Sequence, residues 1–265
     1  MKNRTSVAAV LVSGMLALLL SGPAAADWSW NFTGSYTGNS SGMTFSGSGG
    51  APSVTASGWS NSVSASRTSS NYGTGDLVQR TLKRYSGGLG VESLDDVGQG
   101  SPEHATDNQY RIDSILLNFG GSTVTLDQVR FGWYSGDSDF SLAAYTGGGS
   151  TDLTAMGYAQ LASNGWATID SYYNSGTSST AVNAGNVSSS YWLISALNPN
   201  LGGINNTNFY SNDFFKLASA GGVAPPTTTS VPEPSTLLLL GGVLLITVVR
   251  ARTANSRQEG DALQA

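Results

Sequence analysis

Between Asp27 and Val231 the sequence holds no amphipathic helical pattern longer than about ten residues, the usual globular scale. It holds instead a series of short apolar runs, several of period two, cut apart by glycine. Trp28, Trp30 and Phe32 alternate with Ser29 and Asn31, which puts three aromatic rings on one face of a strand. Met43 and Phe45 begin a second run, and Val54, Ala56, Val63 and Ala65 continue the theme. Gly34, Gly38, Gly42 and the Gly49-Gly50 pair supply turns. A chain built this way can bury its apolar faces only by stacking sheets. The expected fold is all-β, an antiparallel β-sandwich of jelly-roll type, over residues 27–220.

The middle of the chain is best defined over 101–146. Ile115, Leu117 and Phe119 face one way and Leu116 and Asn118 the other, and Gly120-Gly121 fits a hairpin turn into the next strand. Val124 and Leu126 change phase to Val129, Phe131 and Trp133 around Asp127-Gln128, which suggests a β-bulge or a bend between sheets. This spacing places Leu117, Phe119, Phe131 and Trp133 in the core. Residues 77–85 form a poorly patterned strand, and Gly87-Gly88-Leu89-Gly90 lacks the Gly-Lys-Ser/Thr of a phosphate loop. Tyr191-Trp192-Leu193-Ile194 reads as a strand covered on both faces, with further strands at 165–169 and 213–218. Trp192 is expected in the core, and Trp59, between Gly58 and Ser60, at the surface. Residues 221–230, with Pro225-Pro226, read as a linker.

Both ends carry targeting signals. Lys2 and Arg4 precede an apolar stretch at 7–20, and Ala24 and Ala26 mark a small-residue cleavage site for signal peptidase. Residues 1–26 are therefore a signal helix, and the exported chain begins at Asp27. At the other end Pro232-Glu233-Pro234 precedes an uncharged run at 237–249, then Arg250 and Arg252. A helix over 236–249 is about 21 Å long at ~1.5 Å per residue, shorter than the ~30 Å hydrocarbon core. The arginines hold its far end in the cytoplasm. This short transmembrane helix anchors the chain in the membrane before processing.

The order of these parts, over 231–265, resembles the PEP-CTERM sorting signal of Gram-negative bacteria. The resemblance implies recognition by exosortase, a membrane protease-transpeptidase. It also implies cleavage near Pro232-Glu233-Pro234 and transfer to the cell surface, the apolar tail being absent from the mature protein. A second block is similar to a family of exosortase-dependent surface proteins. Its residues are His104-Ala105, Asp107-Asn108, Leu116 to Phe119, Val124-Thr125-Leu126, Gly132-Trp133 and Asp137-Ser138-Asp139-Phe140. That likeness implies location rather than mechanism. An ordinary C-terminal anchor is the plainer reading of the tail.

Composition narrows the chemistry. There is no cysteine, which excludes disulfides, thiol catalysis and cysteine metal sites. The net charge is −5, and the basic residues, among them Arg67, Arg80, Lys83, Arg111 and Lys216, are scattered, so nucleic acid is not an expected partner. His104 is the single histidine; with Ser101 or Ser138 it could serve a hydrolytic triad, but no nucleophile elbow is present. Glu92 and Glu103 are not spaced as a glycosidase pair. Asp137 and Asp139 offer oxygen ligands to calcium, with Asp107 and Asn108 brought in by folding; turn chemistry explains the same residues without an ion. No catalytic residue is assigned and no enzyme is expected. The sum is an exported structural protein of the extracellular matrix, associated with biofilm exopolysaccharide. A carbohydrate-binding or adhesive module is the alternative, and a secreted hydrolase stands behind it.

Overall fold

A computed structural model of the chain describes residues 27–99, 104–154, 156–201 and 213–225. The chain divides after Pro225. The signal peptide with Ala24 and Ala26, the motif Pro232-Glu233-Pro234, the apolar tail and Arg250 and Arg252 lie outside the described residues. Among the described residues no helix is long and apolar enough to cross a membrane.

The described chain is built from strands. In order they are β1 (Asp27–Asn31), β2 (Thr37–Asn39), β3 (Met43–Phe45), β4 (Gly47–Ser48), β5 (Val54–Asn61), β6 (Leu77–Tyr85), β7 (Gly88–Glu92) and β8 (Thr106–Asp107). They continue with β9 (Asp113–Asn118), β10 (Thr125–Gly136), β11 (Phe140–Tyr145), β12 (Trp166–Tyr172), β13 (Ser179–Ala181), β14 (Tyr191–Ala196) and β15 (Asp213–Val223). Helical structure amounts to a few single 3₁₀ turns. The pairings between these strands are antiparallel, as the all-β expectation requires.

One sheet runs β12-β11-β14-β9-β5. The free edge of β5 is shared by β3 and by the first half of β6. The second sheet is centred on β15. Strand β10 lies along one whole edge of β15, and β8, β7 and β1 share the other edge in turn. Strand β6 serves both sheets: residues 77–80 pair with β5 and residues 81–85 with β7. It is the corner that joins the two layers.

Two apolar clusters follow from this arrangement. The first fills the space between the sheets. It takes Trp30, Leu89, Phe131, Phe215 and Leu217 from one sheet, and Ile115, Leu117, Phe140, Leu142 and Trp192 from the other. Phe131 stacks on Phe215 with centroids 3.9 Å apart, and Phe140 meets Phe131 edge-on at 5.2 Å. The second cluster lies on the outer face of the β12-β11-β14-β9-β5 sheet. There Leu116, Ala143 and Leu193 are covered by Tyr72, Leu153, Met156, Tyr158 and Leu161 from the connecting loops. That cover explains the uninterrupted apolar run in β14, whose two faces are both buried.

Four expectations change. Gly120-Gly121 is not a hairpin, because β9 pairs with β5 and β14 whereas β10 pairs with β13 and β15. Asn118 Oδ1 accepts the Gly120 N–H at 2.8 Å, and Gly120 takes φ +64°. This turn carries the chain from one sheet to the other, so that Phe119 and Val124 enter the same core from opposite layers. Trp133 leaves the core. The bulge foreseen near Asp127 is present between Leu126 and Gln128, but two further slips fall between Arg130 and Phe131 and between Phe131 and Trp133. They pair Phe131 with buried Leu217 and Trp133 with the outward Lys216. Trp59, in contrast, is buried at 6% exposure, under the loop cover, with Nε1 donating to Ser57 Oγ at 2.9 Å. Finally, β15 runs on to Val223, into the segment read as linker.

The glycine-rich run at 87–90 has a packing role. A Cβ on Gly88 would strike the Leu217 carbonyl, and one on Gly90 the His104 carbonyl. Only glycine lets β7 lie this close to its neighbours.

Candidate functional site

The outer surface of the β15 sheet carries a stack of rings and cations. Tyr36, 64% exposed, lies 5.3 Å from Tyr85 between centroids. The Lys216 ammonium sits 4.3 Å from the Tyr85 centroid and 4.2 Å from that of Trp133. Burial between the rings lowers the Lys216 pKa. Lys83 Nζ lies 5.8 Å over Tyr36 and 3.1 Å from Glu92 Oε2. The stack exists because β10 slips after Phe131, which aligns Trp133 with Lys216.

His104 borders this stack. Its Nδ1 is 3.2 Å from the Tyr85 hydroxyl and its Nε2 is 3.1 Å from Glu92 Oε1. Ser138, offered as a nucleophile, has its Oγ accepting the Gly176 N–H at 2.8 Å. The other serine considered, Ser101, and Glu103 lie outside the described residues. Because Trp133 is only partly covered, Trp133→Ala should cost about 1 kcal/mol, the average for point mutants rather than for core tryptophans. Chemical denaturation of the variant measures this; a loss as large as that of Trp192→Ala would return Trp133 to the core.

The four residues expected to share calcium are divided by the fold. Asp107 joins Asp96 and Asp113, while Asp137 and Asp139 join Asp213. In each trio one carboxylate oxygen per residue lies within 4.8 Å of the other two. Asn108 is not free to act as a ligand in either. Its Oδ1 accepts the Asp213 N–H at 2.9 Å, and its Nδ2 donates to Leu197 O at 3.2 Å and to Asp213 Oδ2 at 2.5 Å. The pair Asp107-Asn108 thus joins the two trios, one residue serving each.

In the second trio the Asp139 N–H donates to Asp213 Oδ1 at 3.0 Å, and Asp139 Oδ1 accepts the Asn174 N–H at 2.6 Å. Burial, reinforced by Asp139, pushes the Asp213 carboxyl up to about 8. Burial first, then the neighbouring Asp137, pushes Asp139 up to about 6. In the first trio burial, then Asp107 and Asp96, hold Asp113 well above the ordinary carboxylate range. Sequence reading missed Asp96, Asp113 and Asp213. The one available signal was an acid at the head of the buried run Ser114-Ile115-Leu116-Leu117.

Residues 230–252 match the family model of the PEP-CTERM protein-sorting motif. They contain Pro232, Glu233, Pro234, Arg250 and Arg252. No curated protein matches the chain, and no solved structure does.

Proposed function

We propose that this chain, a carrier of the PEP-CTERM protein-sorting motif, is a non-enzymatic structural protein of the bacterial extracellular matrix, laid down with exopolysaccharide. The motif is the observation that carries the reading. It marks the chain for export, transient anchoring in the membrane and processing by exosortase before surface display. The jelly-roll-like sandwich is then the part that remains outside the cell. In keeping with a structural role, the His104 ring turns to Tyr85 and Glu92 rather than to any serine among the described residues.

A second reading, carbohydrate binding, is favoured by the Tyr36, Tyr85 and Trp133 stack. Sugar rings pack their C–H faces on aromatic side chains, and Lys83 and Glu92 stand beside the stack to bond hydroxyls. The experiment is fractionation of a producing culture into cells, polysaccharide matrix and free medium, for the wild type and for Tyr36→Ala/Trp133→Ala. The structural reading expects both proteins in the matrix fraction. The binding reading expects the double variant to move to the medium. Recovery of the wild-type chain in free medium would sink both.

A further inference from the structure

Asp113 opens β9 with 1% of its surface exposed, and neither of its carboxylate oxygens has a hydrogen-bond partner. The Ser60 hydroxyl and the Asp107 amide lie near it but do not reach hydrogen-bonding geometry. Buried carboxylates elsewhere in this domain are engaged: Asp213 accepts from Asp139 and Asn108. Asp113 instead faces two more acids. Asp96 is 5% exposed, with Oδ2 accepting the Ser93 N–H at 2.7 Å, and Asp107 is 3% exposed. Three carboxylates converging within 4.8 Å, away from water, repel one another unless one of them takes up a proton or something positive stands between them.

The neighbouring arginines do not fill that role for Asp113. Arg111 Nε lies 3.0 Å from Asp95 Oδ2, and its Nη1 donates to the carbonyls of Asn61 at 3.3 Å and Ser62 at 2.6 Å. Arg80 makes no ion pair with Asp113 among the described residues.

We propose that Asp96, Asp107 and Asp113 form a divalent-cation site whose occupant is calcium. The converging donors are all carboxylate oxygens, with no sulfur or imidazole in the set, which selects the hard cations. Calcium accepts irregular oxygen shells, and the trio is drawn from a turn, a two-residue strand and the head of β9, so it presents no regular octahedron of the kind magnesium demands. An exported module needs only about 0.1–1 mM affinity to be loaded outside the cell. The ion would tie the Asp96 turn to β8 and β9, and so join the two sheets beside the β6 corner. The site differs from the Asp137-Asp139-Asp213 trio and is independent of the matrix reading.

The test uses the full chain purified in detergent, with calcium chloride itself as the probe. Thermal melting is followed in EGTA and in calcium, for the wild type, Asp113→Asn and Asp139→Asn. Isothermal titration of the wild type provides a reading that needs no variant. The expected result is measurable calcium heat and a wild-type melting temperature several degrees higher in calcium. Asp113→Asn should melt no lower than the wild type in EGTA, having lost only repulsion, and should lose the calcium response. Asp139→Asn should keep it. Absence of calcium heat in the wild type overturns the proposal even if a variant fails to fold. A calcium response that survives Asp113→Asn, or that disappears only in Asp139→Asn, overturns it as well.

Discussion

Trp192→Ala should cost about 3–5 kcal/mol, a large part of the about 5–15 kcal/mol that holds a domain of this kind together. The indole is fully buried in β14, between β9 and β11, and its Nε1 donates to the Ser189 carbonyl at 3.2 Å. Truncation opens a cavity and removes one of the two donors to that carbonyl, the Val124 N–H remaining at 2.9 Å. Leu117→Ala, at the paired position on β9, should cost about 2–5 kcal/mol. Asn118→Ser provides the control. Asn118 is half-buried and faces the other way, and serine can still accept from the turn amide. Its cost should stay within about 0.5 kcal/mol, as for surface changes generally. Urea unfolding of the three variants measures the difference. Equal sensitivity at Leu117 and Asn118 would mean that the register of β9 is misassigned, because a slip of one residue exchanges the faces.

Replacing Pro232, Glu233 and Pro234 together by alanine should abolish sorting. Proline fixes its own backbone, removes a donor and disfavours the helical region for the residue before it, which is the physical ground for this expectation. Alanine imposes none of these constraints and is the strongest helix former. The expected product is full-length precursor retained in the membrane fraction, seen by its larger size on an immunoblot. Mature-sized protein at the surface in normal yield would remove the sorting motif from the account.

Much of this fold could be read from residue order, and the parts that could not have physical reasons. The alternation of Trp28, Trp30 and Phe32 marked β1, and the phase change near Asp127 marked a true slip between Leu126 and Gln128. The two later slips, on either side of Phe131, were invisible, because Phe131-Gly132-Trp133 keeps its alternation in sequence. Only the pairing with Leu217 and Lys216, far along the chain, turns Trp133 outward. Trp59 was misjudged for a related reason. Its cover comes from Tyr72, Leu153, Met156 and Tyr158, single apolar residues in Gly- and Ser-rich connections that show no periodicity. The carboxylate trios were half legible. Asp137 and Asp139 announce themselves by spacing, but Asp213 reaches them only through strand order, and nothing local tells that Asp113 is buried.

The placement of β15 has a consequence for the timing of export. It is the axial strand of its sheet, in contact with β10 on one side and with β8, β7 and β1 on the other, and it is the last strand among the described residues. Until Val223 has crossed the membrane, β1 and β10 have no shared partner, and Phe131 lacks the ring of Phe215 on which it stacks. A chain emerging from its N-terminus can therefore assemble the β12-β11-β14-β9-β5 sheet but not the second layer that covers it. The sandwich closes only once the residues just ahead of the sorting motif are in place, so that an export that follows the motif would end as folding does.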